Sequence, residues 1–423
     1  MLFIYRCLTL IIFPLFILII FLRSFFEKED KKRFKEKIFS KHFNVKKNKD
    51  KKLIWFHAAS IGEVLSILPL IEKINSSYKD VDFLITTVTL TSKKLLEKKL
   101  HNYTNVTHRF FPLDTKKLSK DFLDLWKPDL VCFVDSEIWP NFLFRIKKKS
   151  IPLILINGRI TNKTFNKWKI IINFARKVFS NFDLCLASSE NSRNNLLKLE
   201  VKNLKYIGNL KYSTKNNLEE IKDFNKIILD KFKTWCAVST HDGEELVILK
   251  AHKEIKKKYN NILTIIIPRH IDRSFNIKNI SKKLNLNPQI LNEDELIKPE
   301  TEILIINSVG ILSRYFNYCK NIFIGKSFIK KKKNVGGQNP IEAAKLGCKI
   351  FHGPYVYNFQ EIYEHLKSYG ATEMVNNEFD LAEKIVKNLD NPTKMNQQQI
   401  SLLNIYGEKI LNETSKEIEA YLR

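Results

Sequence analysis

The sequence predicts an α/β protein built of two doubly wound halves behind one apolar N-terminal helix. Short apolar runs alternate with stretches of helical spacing along most of the chain, the pattern of parallel strands joined by crossover helices. The runs are apolar on both faces, as strands covered on both sides must be. A polar, Lys/Asn-rich stretch at 208–231 interrupts the alternation once and divides it. At about 100–200 residues per domain, a chain of 423 residues is expected to hold two or three domains.

The first element is the apolar run 2–22, LFIYRCLTLIIFPLFILIIFL, in which Arg6 is the one charged residue. Crossing a bilayer core takes about 20 apolar residues in a helix. Arg6 is expected to snorkel toward an interface, and a membrane helix tolerates Pro14 with a local kink. No small-residue cleavage site follows in RSFFEKEDKKRFKEK (23–37), so an uncleaved anchor is favoured over a signal peptide or a core helix. Thirteen Lys/Arg lie between Arg23 and Lys52. This flank predicts a cytoplasmic body by the positive-inside bias. With Phe25, Phe26, Phe34 and Phe39 interleaved, it reads as an amphipathic segment on anionic lipid or as a solvated linker helix.

In the first half the strand runs are KLIWFHA (52–58), VDFLITTVT (81–89), RFFPLD (109–114), PDLVCFVDS (128–136), IPLILING (151–158), DLCLASS (183–189) and LKYIG (204–208). Helical spacing follows in GEVLSILPLIEKI (62–74), SKKLLEKKL (92–100) and IWPNFLFRIKKK (138–149). In the second half come TWCAVST (234–240), NILTIIIPRH (261–270), EILIINS (302–308), NIFIGKS (321–327) and CKIFHGP (348–354). Helices are read in 244–259, in 340–347 and from Met395 onward. The expected division is a membrane anchor at 1–23, a basic juxtamembrane segment at 24–52, and domains at 53–210 and 211–423, the last closing with the C-terminal helix. Ligands bind such sheets at the carboxyl ends of their strands, here in a cleft between the halves.

Lys+Arg number 72 against 45 Asp+Glu, a formal net charge of +27. A hydrophobic share of 44% excludes a disordered polycation. The surplus points to an anionic partner: nucleic acid, a membrane surface or a phosphorylated substrate. Six cysteines without a CxxC pair argue against a disulfide framework or zinc ribbon and for buried reduced thiols.

Three motifs fall where strands end and helices begin. In His57-Ala58-Ala59-Ser60-Ile61-Gly62-Glu63, Glu63 is expected on the first helical turn, with capping-box spacing to Ser60. The helix N-terminus should keep it ionised and make it a weaker base. Asp135-Ser136-Glu137-Ile138-Trp139-Pro140-Asn141 places carboxylates after a buried strand, with helix capping by Ser136 as the alternative. Val335-Gly336-Gly337-Gln338-Asn339-Pro340-Ile341-Glu342 bares backbone N–H groups that suit a phosphate, with Glu342 within reach of sugar hydroxyls. Smaller pieces end other strands: Ser239-Thr240-His241-Asp242-Gly243-Glu244, Ile267-Pro268-Arg269-His270 and Ser308-Val309-Gly310. Arg269 suits a phosphate. His241 and His270 lack a third ligand at sensible spacing and read as neutral, hydrogen-bonded side chains. The run Lys330–Lys333 reads as a solvated loop that could steer anions.

The segments HAASIGE (57–63), TTVTLTS (86–92), VDSEIWPN (134–141), INGRIT (156–161), IGNLKY (207–212), STHDGEE (239–245), IPRH (267–270), INSVG (306–310), GGQNPIEAA (336–344) and GPYVYNF (353–359) resemble, in this order and over nearly the whole chain, bacterial 3-deoxy-D-manno-octulosonic acid (Kdo) transferases. The short N-terminal anchor is similar too. The resemblance implies a glycosyltransferase-B-like fold, two Rossmann-like domains facing a central cleft, with the acceptor on the first and the CMP-sugar on the second. It implies inverting transfer of Kdo from CMP-Kdo to a lipid A precursor at the cytoplasmic face of the inner membrane, without a metal. By motif it implies Glu63 as general base and Glu137 as an acceptor-site or catalytic carboxylate. Lys211, Arg269, Ser308, Gly310, Gly336, Gly337, Asn339 and Glu342 would contact CMP-Kdo. The chain departs from the family's pattern at Gln338, where His is usual, and at Asn307 to Leu312, where Ile311 replaces an acidic residue. The loop 326–334 is longer and more basic than usual. The alternatives are another glycosyltransferase-B enzyme acting on a different glycolipid, or a non-catalytic basic protein of membrane surfaces or nucleic acid. No nucleic-acid module is evident, so no nucleic-acid partner is expected.

Overall fold

The computed structural model describes residues 1–422 except 46, 49, 102, 216–220, 222, 293–294, 309, 330–335 and 393–396. The chain divides into two compact units. One is Met1–Thr214 with Tyr406–Arg423, the other Lys215–Ile405.

The first unit holds a parallel sheet of β1 (Lys52–His57), β2 (Val81–Thr87), β3 (Val106–Phe110), β4 (Leu130–Val134), β5 (Leu153–Gly158), β6 (Leu184–Ala187) and β7 (Leu204–Tyr206), in the order β3-β2-β1-β4-β5-β6-β7. The order reverses between β1 and β4, which pair directly, Ile54 opposite Leu130 and His57 opposite Phe133. The central strands are buried on both faces. Trp55, Phe122, Phe133 and Phe142 form the middle of the core, with Trp55 edge-on to Phe133 at 5.5 Å. Burying an aromatic side chain of this kind contributes about 1.5–3 kcal/mol, so this cluster is a main fastening of the unit. The third strand lies earlier than expected, at 106–110, because it must pair with Phe83–Thr87.

The second unit repeats the plan with β8 (Lys233–Thr240), β9 (Ile262–Pro268), β10 (Pro288–Leu291), β11 (Ile303–Ile306), β12 (Asn321–Ile324), β13 (Lys349–His352) and β14 (Thr372–Met374), in the order β10-β11-β9-β8-β12-β13-β14. Here the reversal falls between β8 and β12. β10 and β14 were not legible in the sequence. Both are short edge strands, and PQIL and TEM carry no run of buried apolar residues.

Helix α1 (Leu2–Phe25) is long and apolar enough to cross a membrane and contains Pro14. It is followed in the first unit by α2 (Ile61–Ser77), α3 (Leu90–Lys99), α4 (Lys116–Trp126) and α5 (Pro140–Lys148). Arg6 does not snorkel as expected. Its Nε donates to Asn141 Oδ1 at 3.2 Å.

Two expectations are corrected. The segment 24–52 is neither an amphipathic surface helix nor a solvated linker. It folds into the first unit as two short 3₁₀ turns, Arg33–Lys37 and Ser40–His42, with Phe34, Ile38 and Phe43 buried. Its buried charges are held by partners: Lys37 donates to Glu29 at 2.5 Å and to the Val88 carbonyl at 2.7 Å. Glu36 accepts from the Phe110 N–H at 2.9 Å and pairs with Arg33. A buried charge survives only with such partners. The division 211–423 also fails at both ends. Residues 211–214 fold with the first unit, and so does the helix Gln397–Glu419 from Tyr406 on. Tyr406 meets Tyr212 edge-on at 5.1 Å, and Lys205 pairs with Glu417 at 2.7 Å. Gly407 permits this docking, since a Cβ there would lie 2.1 Å from the Tyr212 carbonyl oxygen.

All six cysteines are free, and five are buried as expected, with Cys7 partly accessible. Burial pushes the Cys319 and Cys348 thiols up to about 12, so they are inert at neutral pH.

Candidate active site

In the first unit the reversal of strand order gathers three carboxylates. Glu63 follows β1, and Asp135 and Glu137 follow β4. Ser60 caps α2, its Oγ accepting from the Glu63 N–H at 3.4 Å. The Glu63 carboxylate in turn accepts from the Ser60 hydroxyl and the Ala59 N–H, both at 2.7 Å. The capping spacing read from the sequence is thus realised, but the expected electrostatic outcome is not. Burial, with Asp135 nearby, pushes the Glu63 carboxyl up to about 7, against the pull of the Ser60 and Ala59 donors. Desolvation and like charge outweigh the helix start. Glu63 is therefore a base of near-neutral strength, and a carboxylate has lone pairs left after two hydrogen bonds.

Asp135 is buried and left-handed, with φ 55°, an unusual backbone for a residue other than glycine. It accepts from Lys211 Nζ at 2.7 Å and from the Asn157 side-chain amide. Asn157 is also left-handed, φ 54°, and its side-chain Oδ1 accepts from the Leu210 N–H at 2.8 Å. The INGRIT and IGNLKY segments thereby lock together beneath the carboxylates. Lys211, which the resemblance places among CMP-Kdo contacts, here neutralises Asp135 in the first unit. Asn157 had not been singled out. Its only signal was membership in INGRIT.

Glu137 is fixed by two donors. Trp139 Nε1 lies 2.9 Å from its Oε2, and His57 Nε2 lies 3.2 Å from the same atom. His57 is itself held by Thr86 through Nδ1 at 3.0 Å and stacks on Phe111 at 3.8 Å. The alternative reading, a helix cap by Ser136, is not realised: α5 starts at Pro140, with Trp139 as its N-cap, because proline suits the first helical position.

In the second unit the residues singled out by sequence fall after neighbouring strands. Arg269 follows β9, and its backbone N–H donates to the Thr240 carbonyl at 3.1 Å. Burial, and after it the charge of the exposed Arg269 guanidinium, depresses the ammonium of Lys326, after β12, below its ordinary value. Two cations so placed suit an anion. His241 follows β8, with Nδ1 at 3.0 Å from the Ser239 carbonyl, and its ring meets that of His270 at 6.0 Å. Glu244 is fully buried and accepts four backbone N–H groups: His241 at 2.9 Å, Lys326 at 2.7 Å, Ser327 at 2.8 Å and Phe328 at 2.9 Å. It shapes the loop after β12 and so aims Lys326.

Gly336 and Gly337 lie against this loop. A Cβ at Gly336 would stand 2.1 Å from the Tyr355 carbonyl oxygen, and Gly337, φ 83°, donates to the Lys326 carbonyl at 2.6 Å. The helix that follows, Ile341–Lys345, is a short one. Asn339 is exposed and accepts from the Ile341 N–H at 3.2 Å. Burial pushes Glu342 above the usual carboxylate range. Ser308 lines a small recess after β11 with Asn292 and Arg314, and Gly310 has φ 85° with open space around it. Val309, Val335 and the run Lys330–Lys333 lie outside the described residues.

Two doubly wound parallel sheets, each with ionisable groups gathered where strand order reverses, are the layout of the glycosyltransferase-B-like fold. Solved structures agree on the fold. A glycosyltransferase from Rickettsia africae ESF-5 superposes with TM-score 0.58 at 13% identity, covering 88% of this chain and 99% of its own. UDP-GlcNAc 2-epimerase from Neisseria meningitidis gives 0.56 at 15% identity, with coverage of 88% and 99%. Residues 32–214 match the family model described as 3-deoxy-D-manno-octulosonic-acid transferase (kdotransferase). The 3-deoxy-D-manno-octulosonic acid transferase of Rickettsia bellii is 32% identical over 354 residues, 83% of this chain and 82% of its own length. That of Haemophilus influenzae is 28% identical, covering 80% and 79%. The chain belongs to the Kdo transferase family and is a glycosyltransferase.

Proposed function

We propose that this chain transfers Kdo from CMP-Kdo to a lipid A precursor, with inversion at the anomeric carbon and without a metal, at the cytoplasmic face of the inner membrane. The observation that carries the chemistry is Glu63: a half-buried carboxylate at a strand switch point, raised by burial to about 7. It takes the proton of the acceptor hydroxyl while that oxygen bonds to the anomeric carbon and the bond to the CMP phosphate breaks. Glu137, held by His57 and Trp139, orients the acceptor. Asp135 keeps Glu63 basic and is itself neutralised by Lys211. In the second unit Arg269 and Lys326 receive the phosphate charge that a metal takes in other transferases, while Gly336 and Gly337 bring their strand of chain close against the Lys326 loop, the Gly337 N–H being spent on the Lys326 carbonyl. Ser308, Gly310, Asn339 and Glu342 contribute to holding the CMP-sugar.

The test is incubation of the full chain with CMP-Kdo and a tetraacylated lipid A precursor, with and without a chelator, followed by mass analysis. Product heavier by one or more Kdo units in both samples is expected. No mass gain overturns the reading, and gain only without chelator overturns its metal-free part.

A further inference from the structure

Helix α1 is held by the first unit at both of its ends. Near the N-terminus the Tyr5 hydroxyl donates to Asp114 Oδ2 at 2.7 Å, and Arg6 donates to Asn141. Asp114 also accepts from the Asn141 and Phe142 N–H groups that open α5, so this anchor point belongs to the core of the body. Near the C-terminus Phe21 meets Phe34 edge-on at 5.1 Å, and Arg23 pairs with Glu29 at 2.8 Å. Between these points Phe13, Ile17 and Ile20 pack on the cluster of Phe34 and Ile38. Contacts at 5, 13, 17 and 20 follow the helical spacing of one face.

At 1.5 Å per residue a helix of 24 residues is about 36 Å long, and a spanning helix would use about 30 Å of that inside the hydrocarbon. It would carry its first turn to the far side of the bilayer, away from any body packed on its last turn. Here both turns touch the same folded unit, so they lie on the same side. The opposite face of α1 is nevertheless apolar throughout: Phe3 is 77% exposed, Leu10 70%, Ile11 74% and Phe25 82%. A face of this size needs an apolar cover. Beside it, between α1 and α4, runs a groove of about 1120 Å³ with Leu10 and Phe13 in its wall. Lys41, Lys116, Lys117, Lys120 and Arg145 border it against one carboxylate, Asp121. Charge complementarity therefore selects anionic lipid as the cover.

We infer that α1 lies in the plane of a single anionic leaflet, its outer face among acyl chains and the groove's cations at the headgroups, and that it does not span the bilayer. The body then sits on the leaflet through its first unit, with the chain start on the body's own side.

The test uses the full chain, with a protease-cleavable epitope before Met1 and a second after Arg423, reconstituted in vesicles of phosphatidylethanolamine and phosphatidylglycerol. Among molecules whose C-terminal epitope is cleaved from outside, the N-terminal epitope is expected to be cleaved as well. Its protection would overturn the inference. In the same vesicles the variant Lys41→Gln/Lys116→Gln/Lys117→Gln/Lys120→Gln, all surface positions of the groove, is expected to lose at least tenfold in flotation with anionic vesicles and to match the parent on phosphatidylcholine. Equal flotation of variant and parent on anionic vesicles would overturn the headgroup contact. Neither readout depends on transferase activity.

Discussion

At the carboxyl ends of β1 and β4, three carboxylates stand together, and Lys211 is bound to one of them, Asp135. At the ends of β8, β9 and β12 the polarity is reversed. Lys326, depressed by burial and by the charge of Arg269, stands there, and the carboxylate Glu244 is turned inward onto four backbone N–H groups. The topology is the same in both sheets, strand order reversing beside the first strand of each. The fold is thus common to both sites and the charge installed differs, a carboxylate able to accept a proton in the first and cations suited to an anion in the second.

The comparison breaks most visibly at Glu63. Glu63→Gln keeps both the size and one acceptor oxygen but cannot take a proton. Transfer is expected to fall by about 10²–10⁴-fold, while CMP-Kdo binding measured by calorimetry stays near that of the parent. Near-normal turnover would remove Glu63 from the role. Glu244 tests the other sheet. Glu244→Gln turns one acceptor into a donor facing backbone N–H groups, and leaving such buried donors unpaired costs about 1–3 kcal/mol each. A melting temperature lowered by several degrees and weaker CMP-Kdo binding are expected together, and an unchanged melting curve would show that the loop after β12 does not depend on this carboxylate. The smallest effect concerns pH. Glu63 must be ionised to act, so kcat/KM is expected to fall as pH drops through about 7. Asparagine at 135 removes a like charge from Glu63 and frees the positive charge of Lys211, both of which favour the ionised form. The acid limb of Asp135→Asn should therefore move to lower pH, and a shift upward would contradict the assigned cause.

Much of this was legible in the chain itself. Runs such as LVCFV and ILTIII are too short for helices and apolar on both faces, so they mark central strands without further information. The edge strands β10 and β14 could not be read, because an edge strand is defined by its neighbour rather than by its own composition. The motif segments pointed to Glu63, Glu137 and Arg269 because they end strands and start helices. The partners of Glu137 could not be placed: His57 and Trp139 converge on it from β1 and from the turn before α5.

The sequence by itself determined two doubly wound parallel sheets, the apolar character of α1 and the Glu63 capping arrangement. All three are written in spacings of a few residues, over which local geometry is reliable. The tertiary structure decided what depends on distant residues meeting. The basic stretch 24–52 became part of the core because Val88 and Phe110 of the body meet its Lys37 and Glu36, which also pair within the stretch with Glu29 and Arg33. The last turns of the chain joined the first unit through Tyr212 and Lys205. Glu63 became a near-neutral base because burial and Asp135 outweigh the helix start beneath it, a balance that no local spacing encodes.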